Sequence, residues 1–374
     1  MPIWAPEPWF EDRIMKITAL RTTRLSVPLP KPIMSGLGPL VSAGVLLVHL
    51  ETDAGLVGEN LVFTLNDKRL AVLDEMVSSL APLVLGADPT FSTGFWSAAW
   101  REINFFGHKG VPVMGISAID GALWDLRGQA AGLPIHKLIG AARDRVPVYA
   151  SAGLWLSSSV DELQREAEGF IAQGFRAMKM RLGKPTPAED AARVRAVREA
   201  IGPGIALMAD ANQQLNVAQA IRLGRMLEEF GLAWFEEPLP AYDLEGVARV
   251  AAALDTPIAS GETEYTRYGF RTMLELKSAD VLMPDLQRVG GVTEFLRVSH
   301  MADAFDVPVS SHLFPEMSVQ VLAALGNATW LEHMPWFAPL YDGGLVVADG
   351  HVVVPDAPGW GLRFDPAAVA RYKV

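Results

Sequence analysis

The chain has 374 residues, half of them hydrophobic, a formal net charge of −11 and no cysteine. That length supplies one large domain or two ordinary ones, with ample material for a core. The acidic balance argues against nucleic acid or an anionic membrane as a partner, and the missing cysteines exclude disulfides, thiolate chemistry and cysteine-based zinc sites.

No run is long and apolar enough to span a bilayer. The first residues, Met1 to Arg13, carry Glu7, Glu11 and Asp12 and lack a basic-then-apolar signal pattern. A cytoplasmic protein is the expectation, with residues 1–14, rich in proline (Pro2, Pro6, Pro8), as an N-terminal extension. Met15–Val27 alternates as a strand. Lys31–Leu40 reads as a Pro/Gly loop, and Ala43–Glu51 and Leu56–Val62 as strands joined at the turn signal Asp53-Ala-Gly55. Asp67–Leu85, Thr90–Ile103 and Val111–Ala131 have helical period, the last with Ile116, Ile119, Leu123, Leu126 and Ala130 on one stripe. Strands followed by helices predict a small α+β domain over 15–140.

From Val146 strands and helices alternate. Val146–Ala152, Ala177–Leu182, Ala206–Ala211, Ala233–Glu237, Pro257–Gly261, Val281–Leu286, Pro308–Ser311 and Trp330–Met334 read as strands. Helices fit between them over Val160–Gln173, Ala191–Ile201, Val217–Phe230, Leu244–Leu254, Tyr268–Leu276, Val292–Phe305 and Met317–Leu325. Eight strands with intervening helices over about 200 residues suit a modified (β/α) TIM-type barrel over 141–335. The Pro/Gly-rich remainder, 336–374, is expected to return to the first domain.

Barrel active sites lie at the C-terminal ends of the strands. Asp210, Glu236 and Glu262 occupy those ends on the third, fourth and fifth strands, and 26 residues separate each from the next. Three such tips can converge on one cation. All-oxygen ligation favours a hard ion, Mg²⁺ before Mn²⁺ or Ca²⁺. Asn212 and Glu237 follow as groups that would orient the ligands. Lys179 and Arg181 share a face of the second strand, Asp285 ends the sixth, His312 the seventh and Glu332 the eighth. A carboxylate holding one imidazole nitrogen raises basicity at the other. A metal, a base with its orienter, two cations and an acid around one cavity suit abstraction of a proton α to a carboxylate.

These motifs resemble the enolase superfamily, specifically its mandelate racemase subgroup. The resemblance runs from Met15 onward and includes Ala118-Ile-Asp120-Gly-Ala-Leu-Trp124-Asp125, Val289-Gly-Gly-Val-Thr293, Ser311-His312-Leu-Phe314 and Pro355-Asp-Ala-Pro-Gly359. It implies an enolase-like fold in which the α+β domain caps the barrel. It also implies Mg²⁺ on Asp210, Glu236 and Glu262, and His312 with Asp285 as the base of one face. Lys179 would sit on the substrate carboxylate, Glu332 would hydrogen-bond the enediolate as an electrophile, and a substrate lid would contain Ile33, Met34, Leu37 and Leu40, with Leu61 and Phe63 adding to it. The subgroup's pattern has Lys-x-Lys on the second strand, whereas this chain has Lys179-Met180-Arg181. A guanidinium is a poor base at neutral pH, which puts two-base racemisation in doubt and favours dehydration of a hydroxy acid. A racemase or epimerase is the second reading, supported by the apolar lid, and a non-catalytic, metal-dependent carboxylate binder the third. The expected partner is a small carboxylate substrate, with no nucleic acid and no membrane, and family resemblance suggests a homo-oligomer. His49, His108, His136, His300, His333 and His351 read as structural or surface residues, with His108 the one that could reach the site.

Overall fold

A computed structural model describes residues 15–35 and 38–374. The extension 1–14, Leu37 and the side chain of Met34 lie outside the described residues. Strands β1 (Ile17–Ser35), β2 (Gly38–Thr52) and β3 (Val57–Leu65) form an antiparallel sheet in that order. The Lys31–Leu40 stretch is therefore not a loop: β1 and β2 stay paired to Ile33↔Leu40 and Ser35↔Gly38. Prolines misled the sequence reading. Pro28, Pro30 and Pro32 lie on an edge strand, where missing N–H donors cost little, and a register shift between Pro28 and Ile33 absorbs them.

Helices α1 (Leu70–Ser79) and α3 (Val111–Ala131) cover one face of this sheet, and α2 (Ser92–Glu102) packs on α3. The first is shorter than 67–85 because Asn66, Asp67 and Arg69 hold positive φ before it, and a 3₁₀ turn containing Pro82 follows it. α3 has its expected bounds, with Pro112 in its first turn and left-handed Gly132 closing it. It lies directly on β3. A Cβ at Gly58 would stand 2.3 Å from the Ala122 carbonyl, and one at Gly121 2.2 Å from Asn60 Nδ2, so only glycine permits the approach. The short α4 (Ile135–Ile139) leads into the barrel.

The barrel runs β4 (Arg145–Ala150), α5 (Val160–Ala172), β5 (Ala177–Arg181), α6 (Pro187–Ile201), β6 (Ala206–Asp210), α7 (Val217–Leu227), β7 (Trp234–Glu236), α8 (Leu244–Ala251), β8 (Ile258–Ser260), α9 (Thr266–Leu276) and β9 (Val281–Leu282). It continues with α10 (Leu286–Val289), α11 (Val292–Asp303), α12 (Pro315–Ala323) and β10 (Leu331–His333). Strands β4 to β9 pair in parallel and in order, and β10 pairs with β4. The seventh stave is not the expected strand. Residues 308–312 make single bridges only, Leu282↔Val309, Val309↔Ala328 and Asp285↔His312, which link β9 towards β10. Ser159 caps α5 through a reciprocal box with Glu162. A second box, Thr186 with Glu189, starts α6 at Pro187, four residues before the sequence reading placed it. Tyr149, Met208, Trp234, Val281 and Met283 fill the barrel interior beneath the site.

The chain ends in β11 (Tyr341–Asp342), β12 (Val347–Ala348), β13 (His351–Val353), β14 (Arg363–Phe364) and α13 (Pro366–Tyr372). β13 lies antiparallel on β4. Beyond it the chain straps the capping sheet. Trp360 Nε1 donates to the Glu59 carbonyl at 2.9 Å, its backbone N–H to Asp125 Oδ1 at 2.9 Å, and Arg363 pairs with Glu59 and Asp125. Asp120 accepts from the Thr293 backbone (2.9 Å) and hydroxyl (2.6 Å) at the start of α11. The two acids of the Ile-Asp120…Trp-Asp125 motif thus seal the cap to the barrel and to the tail. Among the described residues no helix is long and apolar enough to cross a membrane.

Candidate active site

Parallel register sets the site. Arg181, Asp210 and Glu236 are neighbours across the ends of β5, β6 and β7. Glu262 follows β8 by two residues, and Glu332 lies within β10. Lys179 is almost wholly buried, and its ammonium meets Glu236 Oε1 at 2.5 Å, Glu332 Oε1 at 3.0 Å and Asp210 Oδ2 at 3.5 Å. Burial alone would lower its pKa, but these acids outweigh that and hold it protonated. Glu236 also accepts from Trp234 Nε1 at 2.8 Å. Burial pushes its carboxyl up to about 8; Lys179 opposes this, and Asp210, Glu332 and Glu262 add to it.

Glu332 accepts from Ser151 Oγ and from the Leu313 N–H, each at 2.7 Å. Burial opposes its ionisation, yet Lys179, His312 and Arg181 hold the carboxyl well below its usual range. It is an acceptor in this arrangement, whereas the expected electrophile would need a proton to donate. Arg181 donates to Ser151 Oγ at 3.2 Å, lies 3.5 Å from Asp210 Oδ2 and sits over the Trp155 ring. Its Nη1 is buried without a partner.

His312 Nδ1 is 2.7 Å from Asp285 Oδ2, and its Nε2 is 3.4 Å from Glu262 Oε2. Asp285 is also the N-cap of α10 through the Arg288 N–H, which fixes its carboxylate. Burial would lower the His312 pKa; the Glu262 charge and the Asp285 hydrogen bond outweigh it and raise it to about 9. Asn212 donates twice to Asp210, at 2.8 and 3.1 Å, and Glu237 is held by Gln213 and Thr263. Burial, then Glu262 and Asp210, raises the Glu237 carboxyl well above its ordinary range.

These groups open on a cavity of about 910 Å³. Its barrel wall presents Lys179, Arg181, Asp210, Glu262, His312 and Glu332; Glu236 and Asp285 lie behind that surface. Its opposite wall is apolar. Of the expected lid, Ile33 and Leu40 reach it, together with Phe63, Leu65, Trp155 and Trp336; Leu61 does not. His108 does not reach it either: it stacks on Trp100 with its Nε2 3.1 Å from the Trp100 carbonyl.

Sequence reasoning missed four residues here. Ser151 follows the first barrel strand and would have been found by the strand-end rule applied to the seven others. Arg288, which donates to the Glu262 carbonyl at 2.9 Å, lies three residues after Asp285, where a helix start was not foreseen. Trp155 and Trp336 are distant in sequence and carried no local signal.

The donor chemistry fits a hard divalent cation. Five carboxyl groups, Asp210, Glu236, Glu237, Glu262 and Glu332, gather at one end of the barrel, and burial with mutual repulsion raises Glu236 and Glu237, a crowding that a bound divalent cation would relieve. Among the described residues no three acidic or histidine side chains close around one point. Glu236 turns to Lys179 and Trp234, and Glu262 leans towards His312, so chelation by the three expected ligands requires those side chains to turn.

A capped (β/α) barrel with acids on three successive strand ends and a His–Asp pair opposite defines the class. Two family models match: "Mandelate racemase / muconate lactonizing enzyme, N-terminal domain" over residues 18–140 and "Enolase C-terminal domain-like" over 162–368. The chain belongs to the mandelate racemase/muconate lactonizing enzyme family of the enolase superfamily. It is 35% identical to L-talarate/galactarate dehydratase of Salmonella typhimurium over 330 residues, 88% of this chain and 83% of that one. Its fold matches a crystal structure of L-talarate dehydratase from Polaromonas complexed with Mg and L-glucarate (TM-score 0.92, 34% identity, 96% of this chain and 98% of that one). It matches equally a racemase from Streptomyces coelicolor with bound magnesium (TM-score 0.92, 35% identity, 96% and 100%).

Proposed function

We propose that this protein is a Mg²⁺-dependent dehydratase of a hydroxy-carboxylate, working through the His312–Asp285 pair. The observation that carries it is the one-sided base. His312 faces the cavity with its other nitrogen fixed by Asp285, while Arg181 stands where a second base would be needed and keeps its proton. Asp210, Glu236 and Glu262 would hold the metal, which supplies a Lewis acid for charge developing on the substrate carboxylate. Asn212 orients Asp210, while Glu237 stands beside the set on Gln213 and Thr263.

Lys179 lies at the cavity floor and pairs with the same developing charge. Glu262 is the main charge that raises His312; were it drawn to a bound cation, the imidazole would be freed as a base, and because Asp285 holds the Nδ1 proton on its side, Nε2 takes the α-proton. The imidazolium then returns a proton to the departing β-hydroxyl. The C–H and C–O bonds break, water leaves, and the enol product tautomerises to a 2-keto acid. The free Nη1 of Arg181 anchors a substrate oxygen. Glu332 acts as a carboxylate that positions Lys179 and the 313 backbone, in place of the electrophile expected from the sequence.

The test is turnover in D₂O with Mg²⁺, offering sugar-derived and aromatic hydroxy acids and reading α-deuteration by NMR beside 2-keto acid release. Keto acid formation supports the dehydratase. Exchange with the hydroxyl retained would overturn it in favour of a racemase or epimerase, the reading favoured by the apolar cavity wall. Arg181→Lys tests the one-sided base further. It is expected to slow dehydration and to introduce deuterium from the opposite face, measured as inversion at the α-carbon. We also read residues 15–140 as the cap, 141–335 as the barrel and 336–374 as the returning segment, in a cytoplasmic homo-oligomer.

A further inference from the structure

Helix α6 carries two buried charges that do not line the substrate cavity. Asp190 and Arg193 stand three residues apart, so they share a face of the helix, and they are 2% and 5% exposed. Their mutual contact is poor. They approach only to 3.5 Å, against about 2.7–2.9 Å for a charge-assisted hydrogen bond, and Asp190 Oδ1 and Arg193 Nε have no hydrogen-bond partner. Both turn instead to backbone groups of two loops. Asp190 Oδ2 accepts from the Gly183 and Lys184 N–H groups, each at 3.0 Å. Arg193 Nη1 donates to the Arg181 carbonyl at 2.8 Å, and its Nη2 to the Trp155 carbonyl at 3.0 Å. A buried pair kept for stability alone would close on itself to offset its desolvation; this one is drawn open by the loops it holds.

Those loops follow β4 and β5 and carry one wall of the cavity, with Trp155, Arg181 and Lys184. They are tied to each other as well: the Arg181 N–H donates to the Leu154 carbonyl at 3.1 Å, and the Arg181 guanidinium lies over the Trp155 ring, 5.0 Å from its centroid. The planar fork of Arg193 suits this task, because two fixed donors can reach two carbonyls on different loops. We infer that Asp190 and Arg193 are positioning residues for the substrate: from behind the wall they set where Arg181 and Trp155 stand in the cavity. The inference rests on the anchoring role proposed above for Arg181 and extends it to two side chains that do not line the cavity. A guanidinium that anchors a substrate oxygen must be held in place by something other than the substrate, and a small displacement of its backbone would be felt at the reacting carbon.

Amide hydrogen exchange of the full chain in Mg²⁺ tests this beside kinetics. Arg193→Lys keeps a charge next to Asp190 but cannot span two carbonyls. Exchange over residues 153–158 and 181–185 should rise about tenfold, while β7 and β8 keep the wild-type rate. In the same variant, kcat/KM for loss of the substrate's α-proton in D₂O should fall about tenfold, mainly through KM. Added to Arg181→Met, Arg193→Lys should cost less than about twofold more, because the group it positions is already gone; a merely structural pair would add its full loss there. Unchanged exchange in both segments, faster exchange across the whole barrel, or an additive loss would each overturn the inference. If Arg193→Lys loses its far-UV circular dichroism, Asp190→Ala takes its place. It frees only the Gly183 and Lys184 N–H groups, so the rise should be confined to 181–185, and no rise there would overturn the inference. Loss of the α-proton accompanies dehydration and racemisation alike. Failure of the dehydratase reading would therefore show separately, as absent keto acid release, and the exchange measurement decides for the positioning role without any substrate.

Discussion

On its barrel side the cavity is lined by titratable groups, each held by another: Lys179 by Glu236, Glu332 and Asp210, and His312 by Asp285. On its cap side it is lined by Ile33, Leu40 and Leu65, which pack on Trp155 and Trp336 and on one another. The first wall depends on exact charge balance in a buried setting, where losing one partner leaves another uncompensated. The second depends on area and shape, where a change is graded. Chemistry and selection of the substrate are thus separable here, and substitutions on the two walls should fail differently.

The largest effect should come from His312→Asn, which removes the proposed base and leaves its surroundings in place. α-Deuteration and keto acid release should fall together by about 10²–10⁴-fold, and a variant with full turnover would sink the assignment. Next is Lys179→Met. It should abolish measurable activity and also destabilise the fold by about 3–5 kcal/mol, read by urea unfolding, because Glu236 and Glu332 lose their shared cation. Equal stability of that variant would show that the barrel wall is not charge-locked. On the cap wall, Leu40→Asn removes a buried apolar contact and should lower the unfolding free energy by about 1–3 kcal/mol, less than Lys179→Met. It should raise KM about tenfold for substrates with an apolar end and spare polar ones, as initial rates across a substrate series would show.

The smallest effect lies outside both walls. Burial raises the Glu316 carboxyl to about 7. A raised acid binds its proton more tightly in the folded state, so its stabilisation is complete below about pH 4.5 and is lost as pH rises through 7. Urea unfolding of the wild type relative to Glu316→Gln should show that difference shrinking across the window. A flat difference would refute the shift.

Much of this arrangement was legible from the chain. The constant length of a β/α unit exposed Asp210, Glu236 and Glu262, and the helical stripe of Val111–Ala131 was correct to both ends. Pairing was less legible. Residues 308–312 look like a strand by composition yet make single bridges, because hydrogen-bond partners leave no periodic trace. The 28–40 hairpin was hidden because proline reads as loop unless one knows the strand is at an edge. Spacing placed Lys179 at the site but could not show that Glu332 would be consumed as its acceptor. That depends on side-chain contacts between residues 153 positions apart.

The strap over the cap has a kinetic consequence. Glu59 and Asp125 receive Trp360 and Arg363 only after some 235 to 304 further residues have been laid down. A nascent chain that has produced its cap still carries the buried acceptor Asp125 without its final donors. Contacts of such sequence separation form late, because the closure entropy of the whole barrel must be met before they contribute. The amino-terminal unit therefore cannot finish folding ahead of the rest, as leading domains commonly do; its last bonds wait for the final residues to emerge.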